Sequence, residues 1–188
     1  MTRVELSFDD SLVEQYRWAR LLGELHVPAT FYVSPGLLRP GRLQEWMLPE
    51  MKGWGHTIGN HTWMHEHPAQ CGVARTLESI NDAADWLDDK GFDGSLLAVP
   101  KGVRGGGWSD ELLEKLEAQG YAIRDVRWKR DEVRPLPGAW ESTELPFVEP
   151  TDLRYFHGIH RTPNDAFCAF ACEVARLRDA GELEVRAL

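Results

Sequence analysis

Three histidines, His61, His65 and His67, fall within seven consecutive positions of the sequence. Imidazoles so close together are candidates for holding a metal ion, provided two of them reach the same side of the backbone. On a β-strand, residues four apart stand roughly 13 Å from each other, too far to share an ion. On a helical turn the same spacing brings them to about 6 Å. His61 and His65 can therefore chelate together only if the strand ending near His61 turns into a helix at residues 60–62. His67, two positions past His65, would lie nearly on the opposite side of such a turn. His56 precedes His61 by an odd number of residues and so belongs to the other face of the strand. Chance pairs at this spacing are common on solvated helices, so a metal site needs a third ligand from elsewhere.

A third ligand is available in Asp9 and Asp10, just beyond the apolar alternation of residues 3–8. Folds of the α/β class gather their chemistry at such strand ends. Two adjacent carboxylates repel each other unless a cation stands nearby. A competing reading is that the pair caps a helix beginning at Ser11. If one of them joins the histidines, two imidazoles and a carboxylate make a three-ligand site with open positions, as in catalytic zinc centres. Non-haem iron oxygenases use the same donor set, but on an all-β fold that disagrees with this chain.

The elements that must position these groups alternate along the chain. Val4, Leu6 and Phe8 alternate with polar neighbours and predict a first strand. A helix is expected over residues 11–24, a strand over 29–34, a short proline-interrupted helix after residue 43, and a third strand over 56–61. A helix over 73–89, a strand over 95–100, a helix capped by Ser109 and strands over 121–126 and 152–159 follow. Phe167, Phe170, Ala171, Val174 and Leu177 mark a last helix, before a final strand in residues 182–187. Strands and helices in alternation imply a parallel sheet or barrel. The glycine-rich residues 101–108 contain no GK[ST] and so no phosphate loop, and they read as a flexible connector.

Composition narrows the function classes. The 188 residues suit one domain with a full core. A formal net charge of −9 argues against nucleic-acid or anionic-membrane partners, which demand basic surface. No apolar run approaches the roughly 20 residues of a membrane span. Cys71, Cys168 and Cys172 form neither a disulfide framework nor a CxxC pair, and Cys168 and Cys172, four apart on an expected helix, read as buried thiols. Because the first strand begins by about residue 3, with no apolar signal core before it, a cytoplasmic protein is expected.

Residues 7–10, 29–34 and 55–65 together resemble the polysaccharide deacetylases, the NodB-homology family of carbohydrate esterases (family 4). The first motif of that family, of TFDD type, is similar to residues 7–10. Its second motif, GHEIGNHTxxH, is similar to residues 55–65 almost position for position, with Thr57 where glutamate is usual. The resemblance implies an α/β fold, a distorted (β/α)7-type barrel in one domain over residues 1–188. It implies one divalent metal ion, zinc first with Co2+, Ni2+ or Mn2+ as alternatives, held by Asp10, His61 and His65. Asp9 would be the general base.

The later motifs are weaker. The third is similar to residues 98–102, with Pro100 and Gly102 in register, but it lacks the arginine that often steadies the base. Lys101 and Arg104 are the candidates to replace it, and Pro100 and the backbone N–H near Lys101 would form the oxyanion site. The fourth motif is echoed only by Asp125 and Trp128, with Trp128 as a substrate contact. In the fifth, His157 corresponds to the acid that protonates the leaving group, and His160 is a neighbour. The activity implied is metal-dependent removal of N-acetyl or O-acetyl groups from an amino sugar, oligosaccharide or polysaccharide. The partner is then an N-acetylated carbohydrate. A non-catalytic carbohydrate-binding relative and a hydrolase of a non-sugar amide are the alternatives. No oligomeric state is implied.

Overall fold

The computed structural model describes residues 2–124, 153–156 and 164–187 of the chain. Strand β1 (Thr2–Phe8) leads into helix α1 (Glu14–Glu24), then β2 (Thr30–Val33) and a 3-10 turn (Pro35–Leu37). Helix α2 (Met47–Gly53), β3 (Thr57–Asn60), the one-turn α3 (Pro68–Cys71) and α4 (Val73–Asp89) follow. Next come β4 (Leu96–Ala98), α5 (Gly102–Gly105), α6 (Asp110–Ala118), β5 (Ala122–Arg124), β6 (Leu153–Phe156), α7 (Asn164–Asp179) and β7 (Leu183–Arg186). Among the described residues the strands form one sheet ordered β5-β4-β3-β2-β1-β6, with β7 paired to β1. Every ladder is parallel. The result is a single α/β domain whose parallel sheet curls as a half-barrel, the distorted barrel expected from the sequence.

Side-chain alternation decides what each face of the sheet meets. Leu6 and Phe8 of β1, Phe31 and Val33 of β2 and Ile58 of β3 point outward into the main core under α1, α2 and α7. Phe8 stacks on Phe31 with ring centroids 4.6 Å apart, and Trp18 of α1 stacks on Phe167 of α7 at 4.4 Å. Burying each such ring contributes about 1.5–3 kcal/mol. A smaller cluster of Ile80, Leu97, Val99, Trp108, Leu112 and Leu116 seats α4 and α6 on β4. The opposite face carries Ser7, Tyr32 and Arg124, all buried, so the interior of the half-barrel is polar.

Two local expectations are corrected. Cys168 and Cys172 are exposed, not buried. The apolar stripe of α7 runs through Phe167, Phe170, Ala171 and Val174, which leaves the two thiols on the opposite side of the helix. Residues 101–108 are not a loose connector, because α5 forms within them and Gly106 is wedged tightly. A Cβ there would stand 2.3 Å from the Trp108 indole nitrogen and 2.7 Å from the Pro100 carbonyl. Ser109 does cap α6, its hydroxyl accepting the Leu112 N–H at 3.2 Å.

Candidate metal centre

The parallel sheet places the ends of β1 and β3 at one rim, and both ends are shaped by polar side chains. Asn60, fully buried, donates from Nδ2 to the carbonyls of Ile80 and Gly94 and accepts the Thr62 N–H at 2.8 Å on Oδ1. The chain leaves the sheet there without forming a helix. Thr62 and His65 both take left-handed backbone (φ 62° each), and these two bends, not a helical turn, bring His61 and His65 together. Their ring centroids are 4.9 Å apart.

A similar device acts after β1. Asp10 and Ser11 are left-handed, with φ of 76° and 54°. Arg42 donates to the Asp10 carbonyl at 2.7 Å, Gln15 donates to the Asp9 carbonyl, and the Ser11 hydroxyl accepts the Ser34 N–H at 2.9 Å. Ser34 in turn donates to the His61 carbonyl at 2.9 Å, tying the two rims together. The capping alternative for the aspartates fails: α1 starts from Val13, and no side chain caps it.

Within this frame, Asp10, His61 and His65 offer one ligand atom each, all within 4.8 Å of one another. Asp10 Oδ1 lies 3.4 Å from His61 Nε2 and 3.2 Å from His65 Nε2. Metal–ligand bonds of about 2.0–2.2 Å put tetrahedral donors about 3.3–3.6 Å apart, so the three residues fit a divalent ion. His61 Nδ1 sits 2.7 Å from the Ala98 carbonyl, which calls for a proton on that nitrogen and turns the Nε2 lone pair toward the site. Burial alone pushes the His61 imidazole down. The charges of Asp9 and Asp10, with the hydrogen bonds to Asp10 and Ala98, outweigh it and raise the group above its ordinary value.

Asp9 is the other half of the site. It is 2% exposed, and its Oδ2 lies 4.0 Å from His61 Nε2, immediately behind the ligand atoms. Arg124, at the end of β5, donates to both carboxylate oxygens at 2.7 and 2.6 Å and to the Ser7 hydroxyl at 2.8 Å. Its guanidinium also lies over the Tyr32 ring, 4.7 Å from the centroid. Lys101 does not fill the place of the missing third-motif arginine, and the Arg104 side chain lies outside the described residues. Lys101 is exposed, with left-handed backbone (φ 66°), and Arg124 reaches Asp9 from the neighbouring strand instead. Sequence reasoning missed this residue. The available signal was a charge set in the apolar alternation of residues 121–126, which must find an opposite charge if the fold buries it.

The remaining expected residues fall in three groups. Pro100 is buried and accepts the Trp108 indole N–H at 3.0 Å, which orders the loop carrying Lys101. His67 turns away from the site toward the Gly106 carbonyl, 3.2 Å from Nδ1. His56 is buried on the far face of β3, its Nε2 2.7 Å from the Ala19 carbonyl. Asp125, Trp128, His157 and His160 lie outside the described residues.

Solved structures of other proteins share this fold. Peptidoglycan deacetylase PdaC from Bacillus subtilis superposes with a TM-score of 0.66 at 20% identity, over 100% of this chain and 88% of its own. A family 4 carbohydrate esterase from Streptomyces lividans, solved with acetate, gives 0.65 at 17% identity, over 98% and 91%. Another from Bacillus anthracis gives 0.64 at 23% identity, over 99% and 80%. At these identities the likeness shows a shared fold. The sequence model of the polysaccharide deacetylases matches residues 2–123, well over half the chain. The chain belongs to the polysaccharide deacetylase family.

Proposed function

We propose that the protein is a metal-dependent hydrolase that removes N-acetyl groups from an amino sugar or oligosaccharide. The observation that carries this reading is the pairing of two different carboxylate environments: Asp10 against the two histidines, and Asp9 behind them, clamped by Arg124. A pure binding site needs the first and has no use for the second. A divalent ion held by Asp10, His61 and His65 would polarise the acetyl carbonyl and lower the pKa of a bound water.

The chain's own groups would do the rest. Asp9, held in one plane by the bidentate Arg124 contact, takes the proton of the attacking water. The Ala98 carbonyl keeps His61 in the tautomer whose Nε2 faces Asp10. The backbone N–H near Lys101, on the loop ordered by Pro100 and Trp108, supports the developing oxyanion. His157, by its family correspondence, protonates the leaving amine.

Release of acetate from a panel of N-acetylated sugars, with and without chelator, tests the activity. Asp9→Asn should keep its metal and its fold while hydrolysis falls about 10²–10⁴-fold, the usual contribution of a positioned base. Full hydrolysis by that variant would sink the mechanism; loss of its metal would make Asp9 a ligand.

On substrate size, the net charge of −9 disfavours close approach to anionic polymers. The proposed preference is for small soluble N-acetyl-hexosamine derivatives over polymeric chitin or peptidoglycan. The measurement is kcat/KM per acetyl group on both classes, and a clear polymer preference would refute it.

A further inference from the structure

The two histidines of the centre are held in different ways. His61 is buried at the end of β3, with Nδ1 anchored on the Ala98 carbonyl. The His65 side chain is 23% exposed. Among the described residues its ring meets Asp10 and the edge of the His61 ring, and no hydrogen bond anchors its Nδ1. Its place therefore depends on its backbone, which is left-handed, a conformation that non-glycine residues disfavour. Something outside the ligand set must hold that turn.

Glu66 is placed to do so. Its Oε2 accepts the Met64 N–H at 2.6 Å and the hydroxyl of Ser79 on α4. The same Ser79 oxygen accepts the Trp63 N–H at 2.8 Å. Arg75, also on α4, lies 3.4 Å from Oε1. The backbone donors of the two residues preceding His65 are thus both satisfied by a network rooted in α4. Glu66 is only 12% exposed in its side chain, while Arg75 is 46% exposed, so the carboxylate is packed inward and the arginine covers it. Ser79 is fully buried, which makes its hydroxyl a fixed point for the loop.

We infer that Glu66 is a positioning residue for the divalent ion, acting through His65: with Ser79 it fixes the turn that presents Nε2 of His65 to Asp10. The inference rests on the reading of Asp10, His61 and His65 as metal ligands. Removing Glu66 leaves the Met64 N–H without its acceptor and releases the Ser79 hydroxyl that accepts from Trp63, so His65 can leave its left-handed conformation and swing away from the ion. His61, anchored on β3 and Ala98, stays in place.

The test is a Zn2+ competition titration of the full chain, stripped of metal, against a chromophoric chelator. Glu66→Ala should weaken affinity about 10–100-fold, the usual loss when a supporting residue around a metal site is removed. In a His65→Ala background the same substitution should change affinity less than about twofold, because its only route to the ion is gone. The Co2+ absorption spectrum of Glu66→Ala should move toward that of His65→Ala. Ser79→Ala, which removes the donor to Glu66 and the acceptor for Trp63, should reproduce the loss if Glu66→Ala does not fold. Wild-type affinity in the Glu66 and Ser79 variants, or equal losses in both backgrounds, would overturn the inference. A wild-type chain that binds no Zn2+ would overturn the metal-site reading as well, so the two failures are distinguishable.

Discussion

Asp9 and Asp10 are adjacent in sequence and differ in every physical respect. The strand alternation sends Asp9 inward beside Ser7, into the polar interior under Arg124. The left-handed backbone at Asp10 swings the next carboxylate out toward the histidines. An arginine can contact both oxygens of a carboxylate at once, whereas a lysine supplies a single point charge. Arg124→Lys should therefore keep metal content at the wild-type level and lower kcat on the order of 10²-fold through misplacement of Asp9. Arg124→Met should in addition cost about 3–5 kcal/mol of stability, because it leaves a buried carboxylate uncompensated. Metal analysis, steady-state kinetics and thermal melts read these three quantities separately. Wild-type kcat in Arg124→Lys would show that Asp9 needs no bidentate partner.

At the scale of elements, β3 and the loop after it illustrate how a short strand can carry two ligands without a helix. The end of β3 is fixed by Asn60, whose amide nitrogen donates to two carbonyls while its oxygen accepts from the turn. Only an amide offers both capacities at once. Asn60→Asp keeps the acceptor for Thr62 but turns an oxygen toward the carbonyls of Ile80 and Gly94. Each buried polar group left unmatched costs about 1–3 kcal/mol. In a chain of this size that amounts to a fall in Tm of roughly 2–4 °C per kcal/mol. The loss should be larger at pH 8 than at pH 5, since protonation of the new carboxyl restores a donor. A melt insensitive to pH would show that Asn60 is not the pivot of the turn.

For the whole molecule, two buried histidines set opposite dependences on pH. His61 in the metal-free chain is raised above its ordinary value of 6.5. Its protonated form therefore stabilises the fold below that value, and the contribution is lost as pH rises through the raised one. His56 is lowered, because burial outweighs its hydrogen bond to the Ala19 carbonyl. Its contribution is present above 6.5 and is lost as pH falls through the lowered value. A bound ion needs the neutral imidazole of His61, so metal affinity should keep rising with pH above 6.5. At 100 times Kd the ion should add about 2.7 kcal/mol, a Tm gain of roughly 5–10 °C. Melts at pH 6, 7 and 8 with and without Zn2+ test this; a metal-induced gain that shrinks with rising pH would contradict it. Among the described residues no helix is long and apolar enough to cross a membrane.

Much of this was legible in the linear chain. Strand alternation at residues 3–8 separated Leu6 and Phe8 from Ser7, and the periodicity of residues 73–89 matches α4 at both ends. Local composition is enough there, because amphipathic spacing and turn residues act over a few positions. The donors Asp10, His61 and His65 were nominated by residue type and motif, and the folded chain brings them together. The way they meet was not legible. Left-handed bends at non-glycine residues such as Thr62 and His65 contradict local preference and persist only because Asn60, Glu66 and α4 impose them. Arg124 lies 115 positions from Asp9 along the chain. Only the curl of a parallel sheet, with β5 facing β1 across the polar interior, could make them partners.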